Sequence, residues 1–199
     1  MREKILVIAS EQFSQYGVRS ITMEDIARLA GISKKTIYQE FKDKKHLVKE
    51  AFSMALKEDQ DRLNKIMEAE DGVIEHLVCT SKMVRERLSA LNPMALLEIQ
   101  KYFPEVWEMF NQFKEVIIVT DLVNVIEKGK ALGYFRPEIN AKILADMRID
   151  QISAAMNPSN YDRRDFSLLT LHMEMLDHFL HGIFTEKGRQ AYLQKHNSY

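Results

Sequence analysis

The sequence predicts an all-α fold, with a small three-helix domain over residues 1–48 and a larger helical body over 49–199. Only 7 Gly and 4 Pro occur in 199 residues, too few for a turn-rich β architecture. Hydrophobic residues at 46% and charged residues at 29% suit a globular chain built from amphipathic helices. Apolar residues recur at helical spacing, and the short gaps between these runs carry cap and breaker residues.

Leu6, Ala9 and Phe13, flanked by Ile5, Ile8 and Tyr16, predict a first helix over 3–16 that Gly17 ends. Thr22 has an N-cap side chain and Asp25 follows three residues later, close to a capping box. Ile26, Ala27, Leu29 and Ala30 give this second helix its apolar side, and Gly31 supplies the left-handed residue after it. Ser33 caps a third helix, on which Ile37 and Phe41 share the buried face. Its other face carries Lys34, Lys35, Thr36, Tyr38 and Gln39. Two short helices with a tight turn and a polar, cationic second member form a helix-turn-helix, whose second helix fits the DNA major groove. Lysine donates to guanine and glutamine bridges adenine, so Lys34, Lys35, Thr36 and Gln39 are the base-reading candidates. Glu40 is out of place beside a phosphate backbone. It either turns toward a cytosine amine or pairs with Lys44 four residues on, and the pair is the favoured reading.

This stretch resembles the DNA-binding domain of the TetR family of bacterial transcription regulators. The matching residues are Phe13, Gly17, Thr22, Ile26-Ala27, Ala30-Gly31-Ile32-Ser33, Thr36-Ile37-Tyr38, Phe41 and Lys44, all within residues 1–50. The resemblance implies phosphate contacts by Tyr38 and Lys44, with Thr22 both capping its helix and touching phosphate. It implies a homodimer on a double-stranded, inverted-repeat operator. It also implies a cavity in the body whose small-molecule occupant changes the spacing of the two reading heads. Within that resemblance the helix starting near Asp43 carries the signal between head and body.

Charge agrees with a local DNA contact. The net charge is −1, but residues 1–48 hold nine Lys or Arg against six Asp or Glu, a net of +3, which leaves −4 on the rest. The single cysteine, Cys79, excludes an internal disulfide and a multi-cysteine metal cluster. No apolar run reaches the ~18 residues of a membrane helix, and the N-terminal ILVIAS is too short for a signal peptide. The expected location is cytoplasmic, with no membrane contact.

In the body, Asp43 caps a long helix to about residue 70, and Asp71-Gly72 breaks it. Helices follow over 73–90, from Pro93, and from Pro104 to about residue 130. Gly129 and Gly133 bracket a turn, a helix spans 139–156, Asn157-Pro158-Ser159-Asn160 is a loop, and a last helix spans 165–185. Residues 102–113 concentrate aromatics and include Trp107, the only tryptophan. They read either as core or as the wall of an apolar pocket. The pocket reading takes Phe103, Trp107 and Phe110, with Met83 and Met147 as adaptable neighbours, and expects an apolar or aromatic ligand. Lys101 and Arg148 could select acidic ligands, but solvent is the expected place of both. The last helix carries more apolar surface than one neighbour covers, so Leu176, Phe179, Leu180 and Ile183 are the dimer-seam candidates, with 139–156 as the partnering helix.

Catalysis has no residues to rest on. His172, His178 and His181 lack the spacing of a zinc-protease helix, and no nucleophile elbow or phosphate-binding glycine loop occurs, so no enzyme activity, metal or cofactor is expected. The function read from the sequence is a dimeric, ligand-responsive transcription repressor. Two alternatives are a helical interaction protein with a vestigial helix-turn-helix and a DNA-binding regulator controlled by a protein partner.

Overall fold

The computed structural model describes residues 1–68, 72–157 and 165–196. The described helices are α1 (Arg2–Tyr16), α2 (Met23–Ala30), α3 (Lys34–Glu40), α4 (Lys44–Glu68), α5 (Gly72–Ala90), α6 (Pro93–Tyr102) and α7 (Pro104–Gln112). A π-helical turn, Phe113–Ile118, leads into α8 (Val119–Ala131), and α9 (Ala141–Met156), α10 (Leu168–Ile183) and α11 (Glu186–His196) complete the order. Caps place most boundaries where the sequence puts them. The side chains of Asn92, Asn140 and Ser167 accept from the first turns of α6, α9 and α10, and Pro93 opens α6.

Two expectations change. The helix expected from Pro104 to residue 130 is interrupted by the π-helical turn, because an apolar pattern does not reveal a local change of winding. A further helix, α11, follows the one expected to be last. Its charged sequence has little apolar periodicity, and it is held by the packing of Tyr192 against Phe184, ring centroids 5.3 Å apart. Asp71 and the loop residues 158–160 lie outside the described residues.

The helices gather into two compact units. The first comprises Met1–Gln60 and Ala90–Gln112, so residues 49–60 and the helices α6 and α7 pack with the N-terminal helices. Its core joins Ile5, Ala9 and Phe13 of α1 to Ile26, Ile37, Phe41 and Leu47, and takes in Ile99 of α6 and Val106 of α7. The second unit comprises Asp61–Ser89 and Phe113–Tyr199. There α9 packs against α8 and α10, around a core that includes Val73, Val78, Ile126, Phe135 and Leu180.

The α8–α9 turn is knitted into the α10–α11 joint of the second unit. Thr185 N–H donates to the Tyr134 carbonyl at 2.9 Å, and Arg136 N–H donates to the Ile183 carbonyl at 3.0 Å. Gly129 and Gly188 allow the approach. A Cβ on Gly129 would meet the Phe135 ring at 2.2 Å, and one on Gly188 would meet the Tyr134 carbonyl oxygen at 2.0 Å.

Candidate nucleic-acid interface

The helix-turn-helix is built by its caps. Thr22 Oγ1 accepts from Asp25 N–H at 3.1 Å, and Asp25 Oδ2 accepts from Thr22 N–H at 3.0 Å, which completes a capping box. The bonds from Thr22, and the Arg28 charge after them, hold the Asp25 carboxyl below its usual range. Gly31 takes the left-handed conformation, φ 72° and ψ 32°, and turns the chain toward α3. Ser33 Oγ then accepts from Thr36 N–H at 3.1 Å. With Ile37 and Phe41 at 0% exposure inside, α3 presents Lys34, Lys35, Tyr38 and Gln39 outward, and Tyr38 is 46% exposed.

Glu40 does not pair with Lys44. Helix α3 ends at Glu40 and the chain is extended at Phe41, φ −133° and ψ 122°, so the two residues are not on one helical face. Arg2 binds Glu40 instead: its guanidinium lies 3.5 Å from the carboxylate, donates to the Glu40 carbonyl, and sits 4.3 Å from the centre of the Phe41 ring. The same guanidinium reaches both Glu50 carboxylate oxygens at 2.6 Å, and His46 contacts Glu50 at 2.7 Å. The one acid that stood against DNA binding is therefore tethered by a cation from α1. No local signal announces a contact across 38 positions of sequence.

Two of the cationic candidates have partners within the protein itself. Lys34 forms an exposed ion pair with Glu24, whose hydrogen bond and charge raise the lysine's pKa. Exposed pairs are weak, so a phosphate or base can compete for this ammonium. Lys44 Nζ donates to the Arg19 carbonyl at 3.3 Å, and burial lowers its pKa. Arg19 is itself anchored from α6, its N–H on Glu98 at 2.8 Å and its guanidinium 4.8 Å from the Tyr102 ring centre. Sequence reasoning missed Arg2 and Arg19, which act through contacts distant in sequence.

Residues 5–51 match the family model described as "Bacterial regulatory proteins, tetR family". The chain thus carries a TetR-family DNA-binding domain. It is 27% identical over 177 residues to the uncharacterized HTH-type transcriptional regulator YhgD of Bacillus subtilis, covering 88% of this chain and 82% of that one. Its fold resembles a transcriptional regulator from Cytophaga hutchinsonii, with a TM-score of 0.69, 22% identity and coverage of 92% of this chain and 98% of that one. It also resembles the regulator FadR from Bacillus subtilis, in complex with stearoyl-CoA, with a TM-score of 0.62, 17% identity and coverage of 92% and 100%. These likenesses concern fold. With this domain, the chain is a DNA-binding, helix-turn-helix transcription regulator.

The other candidate residues are placed less simply. Phe103 and Trp107 pack against the core of the first unit, and Phe110 stacks near Trp107 and Phe52, with centroids at 5.6 and 6.4 Å. Phe103 also lines an open cleft of about 460 Å³ in that unit, together with Lys42, Lys45 and Lys49. Met83 and Met147 belong to the second unit. Met147 is 41% exposed and lies one turn from Ile143 at 64%, so it faces outward. Phe179, Leu180 and Ile183, expected in a dimer seam, are 4%, 2% and 2% exposed within the single chain, buried in its own core. Leu176 packs at the margin of that core. Arg148, expected in solvent, is 3% exposed, while Lys101 is exposed. His178 and His181 are exposed, and among the described residues no group of three or more His, Cys, Asp or Glu is placed to hold a metal ion. No helix among the described residues is long and apolar enough to cross a membrane.

Proposed function

We propose that this TetR-family regulator is a homodimeric repressor that binds an inverted-repeat operator through α3 and releases it when a small molecule occupies the body. The division of labour is the one drawn from the sequence: residues 1–48 read DNA, and residues 49–199 hold the effector and the dimer contact. The observation that carries the reading is the outward face of α3. Lys35, Tyr38 and Gln39 are exposed there, while Arg2 draws Glu40 aside. A vestigial helix-turn-helix loses its chief support once that acid is accounted for.

Thr22, Ser33 and Tyr38 position the helix on phosphates, Lys44 adds a further phosphate contact, and Lys34, Lys35, Thr36 and Gln39 reach base edges. A second copy of the chain meets the first along α9 and α10. The exposed Ile143 and Met147 on one side of α9 support this better than the residues buried in the monomer core. Small-molecule control draws support from fold relatives solved with ligands, stearoyl-CoA in FadR of Bacillus subtilis and choline in a Saccharomonospora viridis regulator.

Selection from random duplex DNA tests the reading. The expected result is an inverted repeat whose half-sites lie about one helical turn apart or somewhat more. Enrichment of no sequence would return the helix-turn-helix to the vestigial reading.

A further inference from the structure

Arg148 of α9 is 3% exposed, and none of its partners among the described residues is a carboxylate. Its guanidinium donates to Gln151 Oε1 at 3.2 Å and contacts His172 Nε2 of α10 at 3.1 Å, and it lies 6.0 Å from the centre of the Phe179 ring. An apolar interior makes a charge without a counter-ion expensive. The same unit handles another buried pair differently: His76 faces the Asp121 carboxylate at 2.9 Å.

The hydrogen-bond direction narrows the chemistry. A guanidinium has no acceptor, so His172 Nε2 must accept, and the neutral ring then carries its proton on Nδ1. Burial, with Arg148 adding to it, pushes the His172 pKa down to about 4, which agrees with a neutral ring. His172 is 5% exposed, and its Nδ1 is buried with no hydrogen-bond partner. Arg148 and His172 therefore bring together, between α9 and α10, a positive charge with no carboxylate partner among the described residues and an unanswered N–H donor. Among the described residues, acceptors and one negative charge are what this place lacks.

We infer that Arg148 and His172 form the anion-holding end of an effector site in the second unit, and that the effector is a monocarboxylate with an apolar body. The inference deepens the small-molecule control proposed above and rests on it. A carboxylate matches the guanidinium fork and supplies the missing charge once. A phosphate dianion would leave excess negative charge beside Phe179, and a neutral ligand would leave the guanidinium uncompensated. Gln151 is the partner that gives way to the incoming oxygen.

Isothermal titration of the full chain with octanoate, benzoate and 3-phenylpropanoate, each beside its matching alcohol, and with octyl phosphate, tests this. At least one carboxylate should bind about tenfold or more tighter than its alcohol and than octyl phosphate, the worth of a charge-assisted contact. Arg148→Met should remove that preference. Without ligand, Arg148→Met should melt at the wild-type temperature or above, since it removes an uncompensated buried charge. Binding of no carboxylate, equal binding of acid and alcohol, or a large fall in the melting temperature of Arg148→Met would each overturn the inference, the last by making Arg148 a structural node. Operator affinity measured with the bound carboxylate is read separately. A preferred carboxylate that leaves DNA binding unchanged supports the anion site and removes only its role as effector site.

Discussion

Gln39 and Lys44 differ in what surrounds them, and their variants should differ in kind. Gln39 is exposed on α3 with its amide free to bridge a base. Gln39→Ala should relax preference at one or two operator positions and cost about 1–3 kcal/mol at the best site, read by competition among single-base variants. Lys44 is a point charge against the Arg19 carbonyl. Lys44→Ala should weaken all sequences alike and lower the slope of log affinity against log salt by about one. His172 gives a pH test. Its folded pKa of about 4 lies below the ordinary 6.5, so below pH 6.5 the unfolded chain takes up a proton that the folded chain refuses. The stability due to this group is present in full above pH 6.5 and is lost as pH falls to about 4, a change of about 3 kcal/mol. Urea midpoints across that window should show the slope, and His172→Gln should flatten it.

The helices show why some assignments were legible and others were not. Caps are local: Thr22 with Asp25, Ser33 with Thr36 and Asn140 with Ile143 lie within one turn, so the ends of α2, α3 and α9 could be read from spacing. The fate of Glu40 depended on α1, whose register against α3 and α4 no short window contains. Arg2→Met should therefore lower operator affinity by releasing Glu40 beside the phosphates, and adding Glu40→Gln should restore much of the loss. Fluorescence anisotropy with a fixed duplex reads both, and a double variant as weak as the single one would mean that Arg2 acts by stabilising α1. The joint between α8, α10 and α11 depends on two close approaches. Gly188→Ala should cost about 1–3 kcal/mol by forcing a methyl onto the Tyr134 carbonyl, measured by denaturant unfolding.

For the assembly, the apolar content of α10 was apparent from its sequence, but not which copy of the chain covers it. Phe179, Leu180 and Ile183 are used up within the monomer, so charges placed there would unfold the chain and say nothing of its partner. Ile143 and Met147 are the better probes. Sedimentation should give a dimer for the wild type at micromolar concentration, and Ile143→Asp with Met147→Asp should shift it toward monomer without lowering helicity. A wild-type monomer would remove both the dimer and the paired half-sites.

The sequence by itself determined the all-α class, the positions of most helices and the outward face of α3. Each of these follows from residues a few positions apart: a cap, a left-handed glycine, a pair of apolar residues one turn apart. Only the tertiary structure decided that Glu40 belongs to Arg2, that Met147 faces outward, and that Phe103 and Trp107 lie against the core of the first unit. The same holds for Arg148, a solvent residue by composition and a buried one by packing. The physical reason is common to all four. Burial and ion pairing depend on which elements meet, and helical periodicity gives the face a residue occupies but not the neighbour that face finds.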